Sequence, residues 1–288
     1  MVRRGIARRV TALLGAGRAP SAGGRAAGDR GLFGPGSASW TVHGDVSCML
    51  MGGVAALLMQ MLHPRALAGV WDHSGFRADM AGRLRRTAAF VGTVTFGATA
   101  EVEAAVARVR RIHERVRGVL PDGTPYRADD PALIAWVHAC EVECFLRAHL
   151  RYRDPWFPVA AQDRYVAEQA RLARMMGAEA GPDTRAALHA YFRAVRPELR
   201  ADDRTREVSR LLLAQPSPSL LTAPANGVML RAGVDLLPRW ARRMHELKLP
   251  FAQAPAVRLG ALGVRSLLSW ALAAPAGAGG AGAGRRSG

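Results

Sequence analysis

The sequence predicts an all-α fold, a single multi-helix globular domain, on three observations. Ala, Leu, Val and Met carry most of an apolar content of 49%, whereas aromatic residues reach only 6%; that mixture favours helix over sheet. Apolar residues recur at helical spacing in segment after segment, and no stretch sustains two-residue alternation. The segments are separated by helix-breaking punctuation at Gly97, Gly118, Pro121-Asp122-Gly123, Pro155, Gly181-Pro182, Pro197 and Pro216. The chain's 288 residues are enough for one large domain with a sizeable core.

In chain order, residues 1–37 read as a basic arm followed by a linker. The opening MVRRGIARRVTALLG suggests a basic amphipathic helix. Its apolar stretch Val10 to Leu14 is shorter than the apolar core of an export signal, and Arg18 soon interrupts it. Residues 15–37 are rich in Gly, Ala, Pro and Ser and read as a loosely packed linker. Residues 38–274 form the helical domain. Its first strong segment, Val46 to Leu62, is interrupted only by Ser47 and Gln60, and it sits at the lower edge of membrane-spanning length. Gly52, Gly53 and the terminating His63-Pro64 favour a core helix that is apolar all round. Further helices are expected at 78–96, 99–119, 130–152, 157–176, 182–195, 201–214, 225–247 and 255–273. Asp129 or Asp130 can cap the helix entered through Pro131. The Gly/Ala tail at 275–288 is expected to be disordered.

A formal charge of +17 raises nucleic acid and membranes as partners. Lys248 is the only lysine, and the arginines are dispersed along helices with Asp and Glu between them. A solvated face explains that spread, and no zinc finger or aromatic RNA-binding motif supports nucleic acid as a partner. Cys48, Cys140 and Cys144 make no disulfide framework; Cys140 and Cys144 are helix neighbours unsuited to bridging. Buried thiols imply a reducing compartment and a cytoplasmic protein, with peripheral membrane contact left open.

The helix EVEAAVARVRRIHERVRGVL holds the sharpest candidate. Apolar positions recur at Val102, Val106, Val109, Val116 and Leu120, and His113 fills the gap in that stripe. An inward imidazole is either a core histidine bonded to a backbone carbonyl or a neutral ligand for a metal or haem iron. Spacing alone leaves both readings open. His138 shares a face with Ile134, Glu141 and Phe145, so Glu141 could bond it at i, i+3. Glu143 lies on another side, where it could meet an arginine or histidine from a facing helix or reach solvent. Arg83 and Thr87 stand one turn apart, a pair suited to a carboxylate or a bound oxygen.

Several chemistries are excluded. There is no HExxH, GxSxG or GxxxxGK[ST] motif. No Glu-x-x-His occurs, so a di-iron bundle lacks its ligand pairs, and no Cys-x-x-Cys-His could attach haem covalently.

The segments LFGPGSASWTVHGD, LLMQMLHPRALAGVWDHSGFRAD, GRLRRTAAFVGTVTFG, RVRRIHERVRG and YRADDPALIAWVHACEVECFLR occur in this order between residues 32 and 147, within a likeness that spans roughly 32 to 250. Together they resemble the family of latex-clearing protein (rubber oxygenase) and MpaB-type oxygenases. The resemblance implies an all-α, globin-like bundle holding haem b, with His113 of the R-x-x-H-x-x-V segment as the axial iron ligand. It implies roles for Arg83 and Thr87 in catalysis and haem binding, and for His138 and Glu143 in the haem surroundings. The implied partners are dioxygen, a hydrophobic small molecule and an unspecified electron donor. Rubber oxygenases place a lysine beside the threonine, where this chain has Arg86, and a glutamate base upstream, where residues 65–71 offer no carboxylate. Rubber is therefore not the expected substrate. The alternatives to an enzyme are a non-catalytic haem or gas-binding protein and a membrane-surface helical protein anchored through Ala256 to Ala273.

Overall fold

In this computed structural model residues 28–179, 181–217 and 222–272 are described. The expected basic helix and Gly/Ala tail, in residues 1–27 and 273–288, lie outside them. Twelve α-helices and one short hairpin occur among the described residues. The helices are α1 (Ala38–His43), α2 (Val46–Gln60), α3 (Pro64–His73), α4 (Met80–Phe96), α5 (Thr99–His113), α6 (Pro131–Tyr152), α7 (Val159–Met176), α8 (Arg185–Val195), α9 (Asp203–Leu213), α10 (Ala223–Leu236), α11 (Arg239–Met244) and α12 (Ala254–Leu272). The fold is all-α, as the composition and periodicity predict.

The apolar helix α2 is the centre of the molecule. It packs most extensively on α6 and next on α10, with Met51, Ala55, Leu58 and Met59 fully buried. Asp45 caps its start, accepting from Cys48 N at 3.0 Å. Its last carbonyls are taken by side chains: Trp136 Nε1 donates to Gln60 O at 3.2 Å, and His245 Nε2 lies 2.7 Å from Leu58 O. A helix end buried in the core needs such partners, because water cannot supply them. His63-Pro64 then turns the chain by 105° into α3. No single described helix is long and apolar enough to cross a membrane.

Two glycines set the spacing around α2. A Cβ at Gly52 would stand 2.7 Å from Phe145 Cδ1 on α6, and one at Gly233 of α10 would stand 2.6 Å from Val54 Cγ1. Bare backbone at both positions allows the helices to approach closely.

Elsewhere the structure corrects the expected boundaries. The 99–119 helix ends at His113, and residues 117–127 form an antiparallel hairpin of β1 (Arg117–Val119) and β2 (Pro125–Arg127), with Gly118 opposite Tyr126. Gly118 and the Pro121-Asp122-Gly123 turn break the helix, and Gly123 takes φ +87°, the left-handed region glycine tolerates. The hairpin packs on α3, and Tyr126 Oη donates to Asp72 at 2.6 Å. The 225–247 helix is divided between α10 and α11 by Pro238, whose ring removes a backbone donor. Helices α1 and α3 were not anticipated. Residues 28–37, compositionally part of the linker, are fastened: Thr99 donates to Asp29 through N and Oγ1, while Leu32 and Phe33 pack against a second core under α4, α5 and α7.

Because α2 and α6 are in backbone contact at Gly52, Gly52→Val is expected to cost about 1–3 kcal/mol through overpacking. Urea unfolding followed by far-UV circular dichroism measures it; wild-type stability would contradict the close packing.

Candidate functional site

Helices α4 and α5 pack as a hairpin around Gly97-Ala98, with Phe90 and Val94 facing Val102, Val106 and Val109. Arg83 and Thr87 lie in the N-terminal half of α4, and His113 is the last residue of α5, so all three occur toward the hairpin end away from Gly97. Asp79 caps α4, accepting from Gly82 N at 2.6 Å, and its carboxylate draws Arg86 to 3.5 Å and Arg85 to 4.0 Å. Arg83 is different. It is half-buried, its guanidinium has no hydrogen bond or ion pair among the described residues, and burial beside Arg86 pulls its pKa down. A half-buried, unmatched cation is a costly arrangement that a ligand's anionic group would relieve.

His113 is half-buried, while Arg110, Arg111, Glu114 and Arg115 are exposed, as the stripe predicts. Its Nδ1 is fully buried, with no hydrogen-bond partner among the described residues. Burial lowers its pKa, with Asp129 opposing, so the ring is held neutral. The reading of a core histidine bonded to a backbone carbonyl through this nitrogen is not what the structure displays.

Helix α6 carries a column of buried polar groups. His138 Nε2 lies 2.7 Å from Gln169 O of α7, which secures α6 to α7, and burial lowers its pKa to about 4. Its expected partner Glu141 instead accepts from Gln60 Nε2 at 3.4 Å, because the α2 side chain fills the space beside it. Glu143 is buried and paired with Arg147 of its own helix, with His189 Nε2 of the facing α8 at 3.7 Å. Near His138, sequence reasoning missed His43. Its ring joins Thr95 Oγ1 at 2.8 Å and Tyr165 Oη at 2.9 Å, and its pKa is pulled to about 3, first by burial and then by His138 and His149. The only available signal was its place in WTVHGD, since one helix too short to show a period carries it.

Two hollows lie elsewhere. One, about 10 Å³ and lined by His138, Val142 and Leu188, has room for about one water. The other, an open cleft of about 470 Å³, lies between the α2 N-terminus, the α6 C-terminus and α12; Asp45, His149, Arg153 and Leu268 line it. Neither is lined by Arg83, Thr87 or His113. No cluster of three or more His, Cys, Asp or Glu side chains arranged for a metal ion occurs among the described residues. A haem iron needs no such cluster, since the porphyrin supplies four of its ligands.

Residues 40–270 match the family model described as ER-bound oxygenase mpaB/B'/Rubber oxygenase, catalytic domain. No curated protein and no solved structure gives a significant match.

Burial raises the Glu141 pKa to about 7, with the Gln60 bond opposing. A carboxyl whose folded pKa lies above its unfolded one binds extra protons in the native state, so its contribution is fully present below the unfolded pKa, about 4.5, and is lost as pH rises through about 7. Glu141→Gln is therefore expected to exceed wild type in stability by on the order of 2 kcal/mol at pH 8, with the difference vanishing near pH 4.5. Urea titrations at both pH values test this; a pH-independent difference would refute it.

Proposed function

The chain belongs to the ER-bound oxygenase mpaB/B′ and rubber oxygenase family through its catalytic domain, and from that premise we propose a haem b-dependent oxygenase that oxidises a hydrophobic small molecule with dioxygen. The observation that carries the haem reading is the His113 imidazole, neutral, at the end of α5, with a buried nitrogen that nothing among the described residues bonds. An unpaired buried imidazole nitrogen is destabilising by roughly 1–3 kcal/mol, and iron coordination relieves that cost. Arg83 fits the same group: a half-buried guanidinium without a carboxylate suits a haem propionate.

Haem, when bound, supplies one-electron and dioxygen chemistry. In this reading His113 would hold the iron, and its lowered pKa keeps an imidazole lone pair free of a proton at neutral pH. Arg83 would neutralise an anionic propionate, and the Thr87 hydroxyl, one turn on, would be placed to donate a hydrogen bond to an oxygen nearby. The half-buried apolar groups Phe90 and Val109 supply an apolar wall for a hydrophobic substrate and limit water there. His138 and Glu143 act as positioning residues: the first holds α6 to α7, and the second sits between Arg147 and the α8 residue His189. Arg86, exposed and drawn to Asp79, supports a substrate other than rubber.

Protein expressed with added haem is expected to show a Soret band, and His113→Ala to lose most of it at unchanged far-UV circular dichroism. Equal haem content in the two proteins would end the ligand assignment. Arg83→Ala is expected to release haem several-fold faster to apomyoglobin, the loss of one charge-assisted bond at a partly exposed site. Wild-type release would remove Arg83 from the haem site.

A further inference from the structure

Helix α12 is amphipathic with its apolar character on the wrong side for a surface helix. Its inward face places Val257 and Ala261 against the body. Two ion pairs fasten its flank: Arg258 Nε to Asp235 at 2.8 Å and Arg265 Nε to Asp45 at 2.6 Å. The outward stripe should then be polar. Instead it reads Leu259, Leu262, Gly263, Ser266, Leu267 and Trp270, all exposed and none charged, with Leu259 70% and Trp270 52% accessible. The spacing of i, i+3, i+4, i+7, i+8 and i+11 is a continuous helical face. An uncharged face of this length on a chain with 22% charged residues marks a contact surface.

We propose that this face of α12 docks, in the plane of the interface, on an anionic lipid surface. Charge selects the occupant. The chain carries +17, so a second copy placed face to face would meet like charge, whereas an anionic bilayer is complementary. Arg231, exposed on the helix α10 that packs against α12, and Arg153, on the rim of the adjacent cleft, have no carboxylate partner among the described residues. Arg153 shares the cleft with Leu268 and Leu272 of α12, where it would serve as a headgroup-binding cation. Length fits too: at about 1.5 Å per residue, the 19 residues of α12 lie on a bilayer more readily than they cross one, given Arg258 and Arg265 on its flank. A second exposed indole lies two residues from the cleft. Trp156, 90% exposed, follows the cleft residue Asp154 in the α6–α7 loop, opposite the cleft residues Leu268 and Leu272 of α12. Indole rings favour the membrane–water boundary.

The test is co-sedimentation of the full chain with vesicles of phosphatidylcholine containing phosphatidylglycerol, and with phosphatidylcholine alone. Wild type is expected to bind the anionic vesicles, more weakly at high salt, and to bind the neutral ones far less. Leu262→Glu/Leu267→Glu, at exposed positions, is expected to bind about tenfold more weakly or worse at unchanged thermal stability. Should that variant misfold, Trp fluorescence gives a second reading: brominated lipid is expected to quench wild type more than Trp270→Phe. The proposal is overturned by equal vesicle binding of wild type and the double variant, by equal binding to neutral and anionic vesicles, or by quenching unchanged in Trp270→Phe. It is also overturned if wild type is a dimer that the double variant dissolves, with no vesicle binding, since the occupant would then be a second copy. None of these readings depends on haem.

Discussion

The close contact of α2 with α6 and α10 is the constraint around which this molecule is built. A helix that is apolar on every side has no face to offer water, so it must be enclosed, and the other helices are arranged to enclose it. Enclosure raises two secondary demands. The facing backbones must come close enough to exclude voids, which Gly52 and Gly233 permit. The helix ends must also find partners inside protein, which Asp45, Trp136 and His245 supply. His245 is itself held by Ser209 at 3.1 Å, so capping α2 fixes the relation of α9 to the centre.

That enclosure determines where polar chemistry can occur. Helix α6 faces α2 along most of its length, and its polar groups are consequently forced into pairs: His138 with the α7 backbone, Glu141 with Gln60 and Glu143 with Arg147. These satisfied groups are structural in the state described. The unsatisfied ones are more informative. His113 and Arg83 lie on the α4–α5 hairpin, outside the α2–α6 contact, and each retains bonding capacity that no described residue uses. A buried group left without a partner lowers stability, so its retention fits a partner from outside the chain. His149 is a further such case, with both ring nitrogens buried and without a partner among the described residues at the wall of the large cleft.

Much of this was legible beforehand because it depends on local pattern. The all-helical pattern, the enclosure of Val46–Gln60, a cap at Asp129 or Asp130 before Pro131, which the structure assigns to Asp130, and the partial burial of His113 all follow from spacing within one segment. The β1–β2 hairpin was missed because its strands have three residues each, too short for alternation to register, and because the preceding stripe extends through Val116 by chance. Helices α1 and α3 were missed for a related reason: six and ten residues give one or two turns, where period and coincidence look alike.

By itself the sequence determined the all-α class, the order of its helices, the family and the candidate residues, since each is encoded in contiguous stretches whose residues meet through their own helix. Only tertiary structure decided who partners whom. Glu141 finds Gln60 across 81 positions and not His138 three positions away, because a side chain arriving from α2 fills the space first. The same holds for the outward apolar stripe of α12. Its periodicity is visible in the letters, but which stripe faces the body is settled by Asp235, buried on α10, and Asp45, the partly buried cap of α2, whose charges Arg258 and Arg265 neutralise and so orient α12.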